Sequence, residues 1–245
     1  KGEKVYGFSI QGLQSEIYLP LLDLARALGD GEYISSDYQV VCNSPAVVKA
    51  LTLIRDWLRG GYIPPNINAL STNDNVRMVQ NGRVAMAING SNYYWTYNDP
   101  ANSAVAGKMG IANLPVSESL RDRYEVAPTK TEFWAFAIPR NARYKEFSWE
   151  VIRYLSSKRS TLIMALNGNG PCRSSTYDSP EYRAGIPYAD LEQKVLKISR
   201  PPFPLIEDAS RIVDIIGQQA HLAIAGVKSP QAAMDDAAEQ ISRLL

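Results

Sequence analysis

One histidine and two cysteines leave little of the usual catalytic equipment in this 245-residue chain. His221 sits inside an apolar helical pattern. A Ser-His-Asp or Cys-His mechanism would have to use it, and a packed or surface helical histidine is the simpler reading. No nucleophile elbow, phosphate-cradling loop or paired metal-ligand motif is present. Gly168-Asn169-Gly170 lacks the strand-to-helix frame of a dinucleotide fingerprint. An Asp/Glu pair for glycosidic chemistry stays open, because the spacing that matters is spatial; no acidic pair stands in a special context. Cys42 and Cys172 make no metal or redox spacing, and read as two buried thiols or one disulfide.

What the chain does have is aromatic residues beside turn residues. Asn89-Gly90-Ser91-Asn92 runs directly into Tyr93-Tyr94-Trp95, and Trp134 opens another apolar run. Flat aromatic faces suit the C–H face of a sugar ring, while Asn, Gln, Glu and Arg can hydrogen-bond the hydroxyls at its rim. Sites of this kind are concave with a few placed polar groups. The same rings could instead pack a core or a loop; a cluster at a strand exit favours the ligand.

Elements that must position these groups alternate between short strands and amphipathic helices, an α/β arrangement. Val5 to Ile10 is a strand candidate, followed by a helix from Glu16 to Leu28 with Ile17, Leu21, Leu24 and Leu28 on one face, stopped by Gly29 and Gly31. Pro45 to Arg59 is the clearest helix, with Ser44 as its N-cap, Pro45 at the first helical position and Gly60-Gly61 at its exit. A helix from Asp74 to Asn81 and a strand from Arg83 to Ile88 lead into the aromatic loop. Met109 to Asn113 and Phe133 to Ile138 read as strands. Tyr144 to Ser157 reads as a helix burying Phe147, Val151, Tyr154 and Leu155. The proline-rich stretch Arg200 to Pro204 excludes regular structure, and helices at Ile206 to Ala225 and Pro230 to Leu245 close the chain.

Composition sets outer bounds. The chain is 45% hydrophobic and 21% charged, with 26 Lys plus Arg against 25 Asp plus Glu, a net charge of +1. That excludes collagen, long disorder and a disulfide-stapled miniprotein, and argues against a nucleic-acid partner, whose binding rests on clustered positive charge. No apolar run approaches the roughly 20 residues of a membrane span. Lys1-Gly2-Glu3-Lys4 carries no signal-peptide pattern and reads as a chain entered in the middle.

The run Met78-Val79-Gln80-Asn81-Gly82-Arg83-Val84-Ala85-Met86-Ala87-Ile88-Asn89-Gly90, with its aromatic sequel, resembles the extracellular solute-binding proteins of family 1. These are the sugar-binding subunits of bacterial ABC importers, maltose-binding proteins among them. Further segments agree in the same order: Ser44-Pro45 to Gly61, Met109 to Pro115, Trp134 to Pro139 followed by Glu146 to Ser157, Gly170-Pro171-Cys172-Arg173-Ser174-Ser175, and Ser229 to Met234.

The resemblance implies a periplasmic-binding-protein-like fold of type II. Residues 1–132 would begin the C-terminal lobe, 133–168 would return to the N-terminal lobe, and 169–245 would complete the C-terminal lobe. Family members are longer, so the chain reads as N-terminally truncated; half of the cleft and the sheet partners of the return segment would be missing, with ligand binding by the chain alone weak or absent. The implied function is sugar or oligosaccharide binding between lobes, without catalysis or cofactor. Partners would be the importer's membrane subunits, the oligomeric state a monomer, and the location periplasmic or lipid-anchored outside the cell. Trp95 or Tyr93 would stack on the sugar, with Tyr94 and Asn92 beside them. Gln14 to Glu16 matches a turn of polar contacts, Trp134 lies at a lobe crossing, and Arg173 would bond a hydroxyl or hold its own turn. A carbohydrate-active enzyme using an Asp/Glu pair is the second reading; a purely structural or adaptor domain is the third.

Overall fold

The computed structural model describes residues 4–132 and 134–245. Strand β1 (Tyr6–Ser9) is followed by helices α1 (Tyr18–Gly29), α2 (Pro45–Arg59) and α3 (Thr72–Gln80) before β2 (Val84–Ala87). The strands pair in parallel, Tyr6 opposite Val84 and Phe8 opposite Met86. A parallel pair needs a long crossover, and α1 to α3 supply it. Helix α4 (Tyr93–Tyr97) follows β2. Among the described residues seven α-helices come later: α5 (Lys145–Leu155), α6 (Lys158–Leu166), α7 (Ser174–Tyr177), α8 (Pro180–Gly185), α9 (Ala189–Leu196), α10 (Ala209–Ile224) and α11 (Pro230–Ser242).

The main core lies where α1, α2, α10 and α11 meet. Leu21, Leu51, Ile54, Ile216, Met234 and Ile241 are wholly buried there, each worth about 1.5–3 kcal/mol of apolar burial. Helix starts show why some cap residues matter and others do not. Ser71 and Asp74 form a reciprocal capping box at α3, and Ser229 Oγ accepts from Ala232 N at 3.1 Å at α11. Ser44 occupies the cap position of α2 but makes no side-chain cap bond. At the exit of α2 the left-handed residue is Gly61, at φ 68°, while Gly60 stays right-handed. α1 ends instead in a left-handed Asp30.

Asp30 belongs to a polar knot that fastens two passing segments to α1. Arg200 N donates to Thr129 O and Thr131 N to Arg200 O, at 3.2 and 2.9 Å. Arg26, whose side chain is 1% exposed, donates to Arg200 O, Pro201 O and Glu32. Asp23 Oδ1 accepts from Lys130 N at 2.8 Å, and Arg200 pairs with Asp30 at 2.5 Å. A buried guanidinium is tolerable only when its donors are matched, and here two carbonyls and the Glu32 carboxylate match them. Arg200 thus makes a single parallel bridge with Lys130 inside the proline-rich stretch.

Four sequence expectations fail here. Residues 109–113 form no strand: Asn98 exchanges hydrogen bonds with both Met109 N and Met109 O, so a side chain takes the place of a neighbouring strand. Residues 134–138 form no strand either, since their backbone finds no hydrogen-bond partner among the described residues; Phe133 lies outside the described residues. The stripe on α5 faces outward, with Phe147 72%, Val151 43% and Tyr154 72% exposed and Leu155 half-buried. Its periodicity is helical as expected, but none of its residues is buried. The thiols are free, Cys42 buried and Cys172 exposed, so they are neither bridged nor both buried.

Candidate functional site

Both strands point their C-terminal ends at the same place. In parallel α/β sheets that edge is where ligands bind, because loops leaving the strands open a crevice there. The loop leaving β1 carries Gln14 and Glu16; the loop leaving β2 runs through Asn89-Gly90-Ser91-Asn92 into α4.

The β1 loop is held rigidly. Gly12 N and Leu13 N donate to Leu70 O, at 2.8 and 3.0 Å. Gly217 of α10 lies so close that a Cβ there would stand 2.0 Å from Gln14 O. The single histidine serves the same loop, its Nε2 lying 2.7 Å from Gly12 O. Glu16 caps α3: its Oε2 accepts from Thr72 N and Thr72 Oγ1, at 2.6 and 2.7 Å. Its carboxylate is therefore committed to a helix N-terminus, where negative charge is favoured. Gln14 is exposed.

The aromatic segment after Gly90 is a helical turn, not the expected loop, and that geometry sends its rings three ways. Tyr93 stacks on Tyr97 with centroids 6.0 Å apart and packs with Val76, Val79 and Val84 against α3. Tyr94 leans on Tyr188 at 5.5 Å and meets Trp95 edge-on at 5.1 Å. Trp95 is left 41% exposed, a large ring with one free side. Asn92 is exposed at the head of the turn and makes no cap bond.

Behind these rings lies a group that sequence reasoning missed. Tyr177, Tyr182 and Tyr188 form an apolar cluster with Ala165, Ile186 and Ala189, against which Tyr94 packs. Glu192 sits at its centre. Oε2 accepts from Tyr182 at 2.7 Å and Tyr177 at 3.2 Å; Oε1 accepts from Ser91 at 2.7 Å. Burial first, and then the Glu192 charge, push the Tyr177 hydroxyl well above the ordinary phenol range; burial and the same carboxylate do so for Tyr182. Tyr188, raised chiefly by burial, goes up to about 12. All three stay protonated at neutral pH. The only signal in the sequence was the density of tyrosines around Tyr177 to Tyr188, scattered over α7, α8 and α9, with no period that marks a common face.

Among the described residues Trp134 and Arg173, like Gln14, Glu16 and Tyr93, do not join those gathered around Glu192. Trp134 is fully exposed and makes no ring contact. Arg173 ties its segment to the end of α5: Nε and Nη2 both donate to Ser156 O, at 3.0 and 2.5 Å. Among the described residues no group of His, Cys, Asp and Glu could hold a metal ion, and no helix is long and apolar enough to cross a membrane.

Comparison with known proteins places the chain in a family of extracellular binding proteins. The sequence profile of the bacterial extracellular solute-binding proteins matches residues 2–187. A probable ABC transporter-binding protein of Deinococcus radiodurans is 19% identical over 98% of this chain and 57% of its own length. A probable amino-acid ABC transporter periplasmic-binding protein of Sinorhizobium fredii is 21% identical over 84% of this chain and 45% of its own. Among solved structures, a maltose-bound MalE3 of T. maritima superposes with TM-score 0.86 at 23% identity, over 98% of this chain and 61% of that one. An Agrobacterium radiobacter solute-binding protein in complex with ribitol superposes with TM-score 0.81 at 27% identity, over 98% and 60%. The fold is that of the type II binding proteins, and the chain spans about half of the length of its curated relatives.

Proposed function

Because the chain belongs to the bacterial extracellular solute-binding proteins, we propose that it forms part of the solute-receiving component of an ABC importer and that its solute is a sugar or polyol. The observation that carries this reading is the half-exposed face of Trp95 at the C-terminal edge of the parallel strands, backed by Tyr94. A rigid aromatic face supported from behind presents apolar area without losing rotamer freedom on binding. Asn92 and Gln14, both exposed near the same edge, supply hydrogen bonds to hydroxyls. Neighbours crystallised with maltose and with ribitol support the choice of a polyhydroxylated ligand.

Residues 1–132 and 169–245 build one lobe of the binding protein and 133–168 reach toward the other. The bare apolar stripe of α5 supports that division, since a face of this kind is a contact surface in a larger body. The ligand is gripped as the lobes close, a shift between open and closed populations, and is released unchanged. The protein acts as a monomer outside the cytoplasmic membrane, periplasmic or lipid-anchored, and delivers its solute to the importer's membrane subunits.

Titration of the protein with maltose, ribitol, D-mannitol and a set of amino acids, followed by tryptophan fluorescence and product analysis, tests this. Saturable response to a carbohydrate or polyol without turnover is expected. Response to amino acids alone, or release of product, would replace the reading.

A further inference from the structure

Glu192 lies 101 residues from Ser91, yet its carboxylate is bonded to that hydroxyl at 2.7 Å while it also accepts from Tyr177 and Tyr182. The bonds to this carboxylate are charge-assisted, 2.7 Å from Ser91 and Tyr182 and 3.2 Å from Tyr177, and such bonds fix direction as well as distance. Ser91 stands four residues before Trp95 in the turn that starts α4, with Tyr94 N bonded to Ser91 O at 3.0 Å. The far side of that turn meets Tyr188, four residues before Glu192 on the approach to α9. Gly170 also approaches the carboxylate: a Cβ there would stand 3.7 Å from Oε1. The exposed ring is thus set by groups on α7, α8 and α9, not by its own strand and helix alone.

We propose that Glu192 is the positioning residue of the ligand-facing aromatic turn, fixing the pose of Trp95 through Ser91 and through the tyrosines that frame Tyr94. Its role for binding rests on the solute-binding reading given above; its role in setting the ring does not. Glu192 touches no ligand in this scheme. Its charge keeps three hydroxyls pointing inward as donors, and so leaves the outer face of the turn to the indole.

The chain has four tryptophans, Trp57, Trp95, Trp134 and Trp149. With 5-fluorotryptophan incorporated they give four fluorine resonances, and W95F assigns the one that matters. E192A should move the Trp95 resonance while leaving those of Trp57 and Trp149 in place. E192Q, which keeps one acceptor oxygen, should restore part of the displacement. S91A, which removes only the turn's half of the contact, should move Trp95 in the same direction and carries the test if E192A does not fold. Combined with E192A, S91A should add little, since the two act through one contact.

In a protein that binds maltose or ribitol, E192A should weaken that affinity at least tenfold, with E192Q in between. A Trp95 resonance unmoved in the folded variants, or all resonances moving together, would overturn the proposal. If no sugar or polyol binds the unmodified protein, the solute reading falls, and the Trp95 resonance still decides whether Glu192 positions the turn.

Discussion

Gly168 lies against the edge of Trp95: a Cβ built on it would stand 2.7 Å from the indole Cδ1. Its φ of +94° is also one that side chains rarely adopt. The loop after α6 therefore reaches the ring only because residue 168 is glycine. G168A should cost about 1–3 kcal/mol and shift Trp95 emission. Gly107 provides the control, with φ +72° and nothing within 4 Å of its would-be Cβ. G107A should bring only the backbone strain, about 1 kcal/mol, and leave the emission unchanged. Equal effects in both variants would separate the loop from the ring.

Caps that look alike in sequence should differ in weight. S71A and S229A each remove a hydroxyl that accepts from a helix N–H and should cost about 1 kcal/mol in chemical denaturation. Ser44 Oγ is buried with no hydrogen-bond partner among the described residues, so S44A should be close to neutral. Loss of stability in S44A comparable to that in S71A would contradict this account of α2.

Two aspartates on α1 and at its end should give opposite pH signatures. Burial would raise the Asp30 carboxyl, but Arg200, Tyr124 and Arg123 outweigh it and hold it below the usual aspartate range. Its stabilising contribution is complete above the unfolded pKa and is lost as pH falls through the lowered folded one. D30N should cost about 1 kcal/mol at neutral pH, with the gap closing in acid. Asp23 is raised, by burial first, against the pull of Lys130 and Arg26. Its contribution to stability falls as pH rises from the ordinary aspartate pKa through the raised one. D23N, which keeps an acceptor for Lys130 N, should remove that fall. Urea midpoints from acid to neutral pH read both; parallel curves for the two variants would refute the assignment.

The outward stripe of α5 should behave as surface in these residues by themselves. F147S and Y154S should change stability by less than about 0.5 kcal/mol and lower the binding of an apolar dye. L51A, in the shared core, should cost about 2–5 kcal/mol. A large loss from F147S would mean that the stripe is covered within the chain.

How far the sequence could be read follows from where each signal is generated. α2 is legible to the residue because its apolar spacing, Pro45 and the terminal glycines all arise within one segment. α1, β1 and β2 are legible within a few residues for the same reason. Residues 109–113 and 134–138 misled, because a strand is defined by its partner and apolar alternation records only the wish for one. α5 misled in a related way: periodicity gives a face but not what covers it. The aromatic cluster Tyr93-Tyr94-Trp95 was legible from its own neighbourhood, as a run of rings after turn residues. The bonds of Glu16 to Thr72 N and of Arg173 to Ser156 O were not legible, since each partner lies elsewhere in the sequence. Glu192 was invisible, being an ordinary acidic residue on a helix until the fold gathers Ser91, Tyr177 and Tyr182 around it.

The most direct measurement of the central claim is calorimetric titration of maltose, ribitol and D-mannitol into the protein, expressed with whatever natural sequence flanks these residues, beside the same titration of W95A. At least one ligand should bind saturably and be recovered unchanged, and W95A should weaken it tenfold or more, about 1.4 kcal/mol. Undiminished affinity in a folded W95A, or no binding of any sugar or polyol by the unmodified protein, would contradict the account.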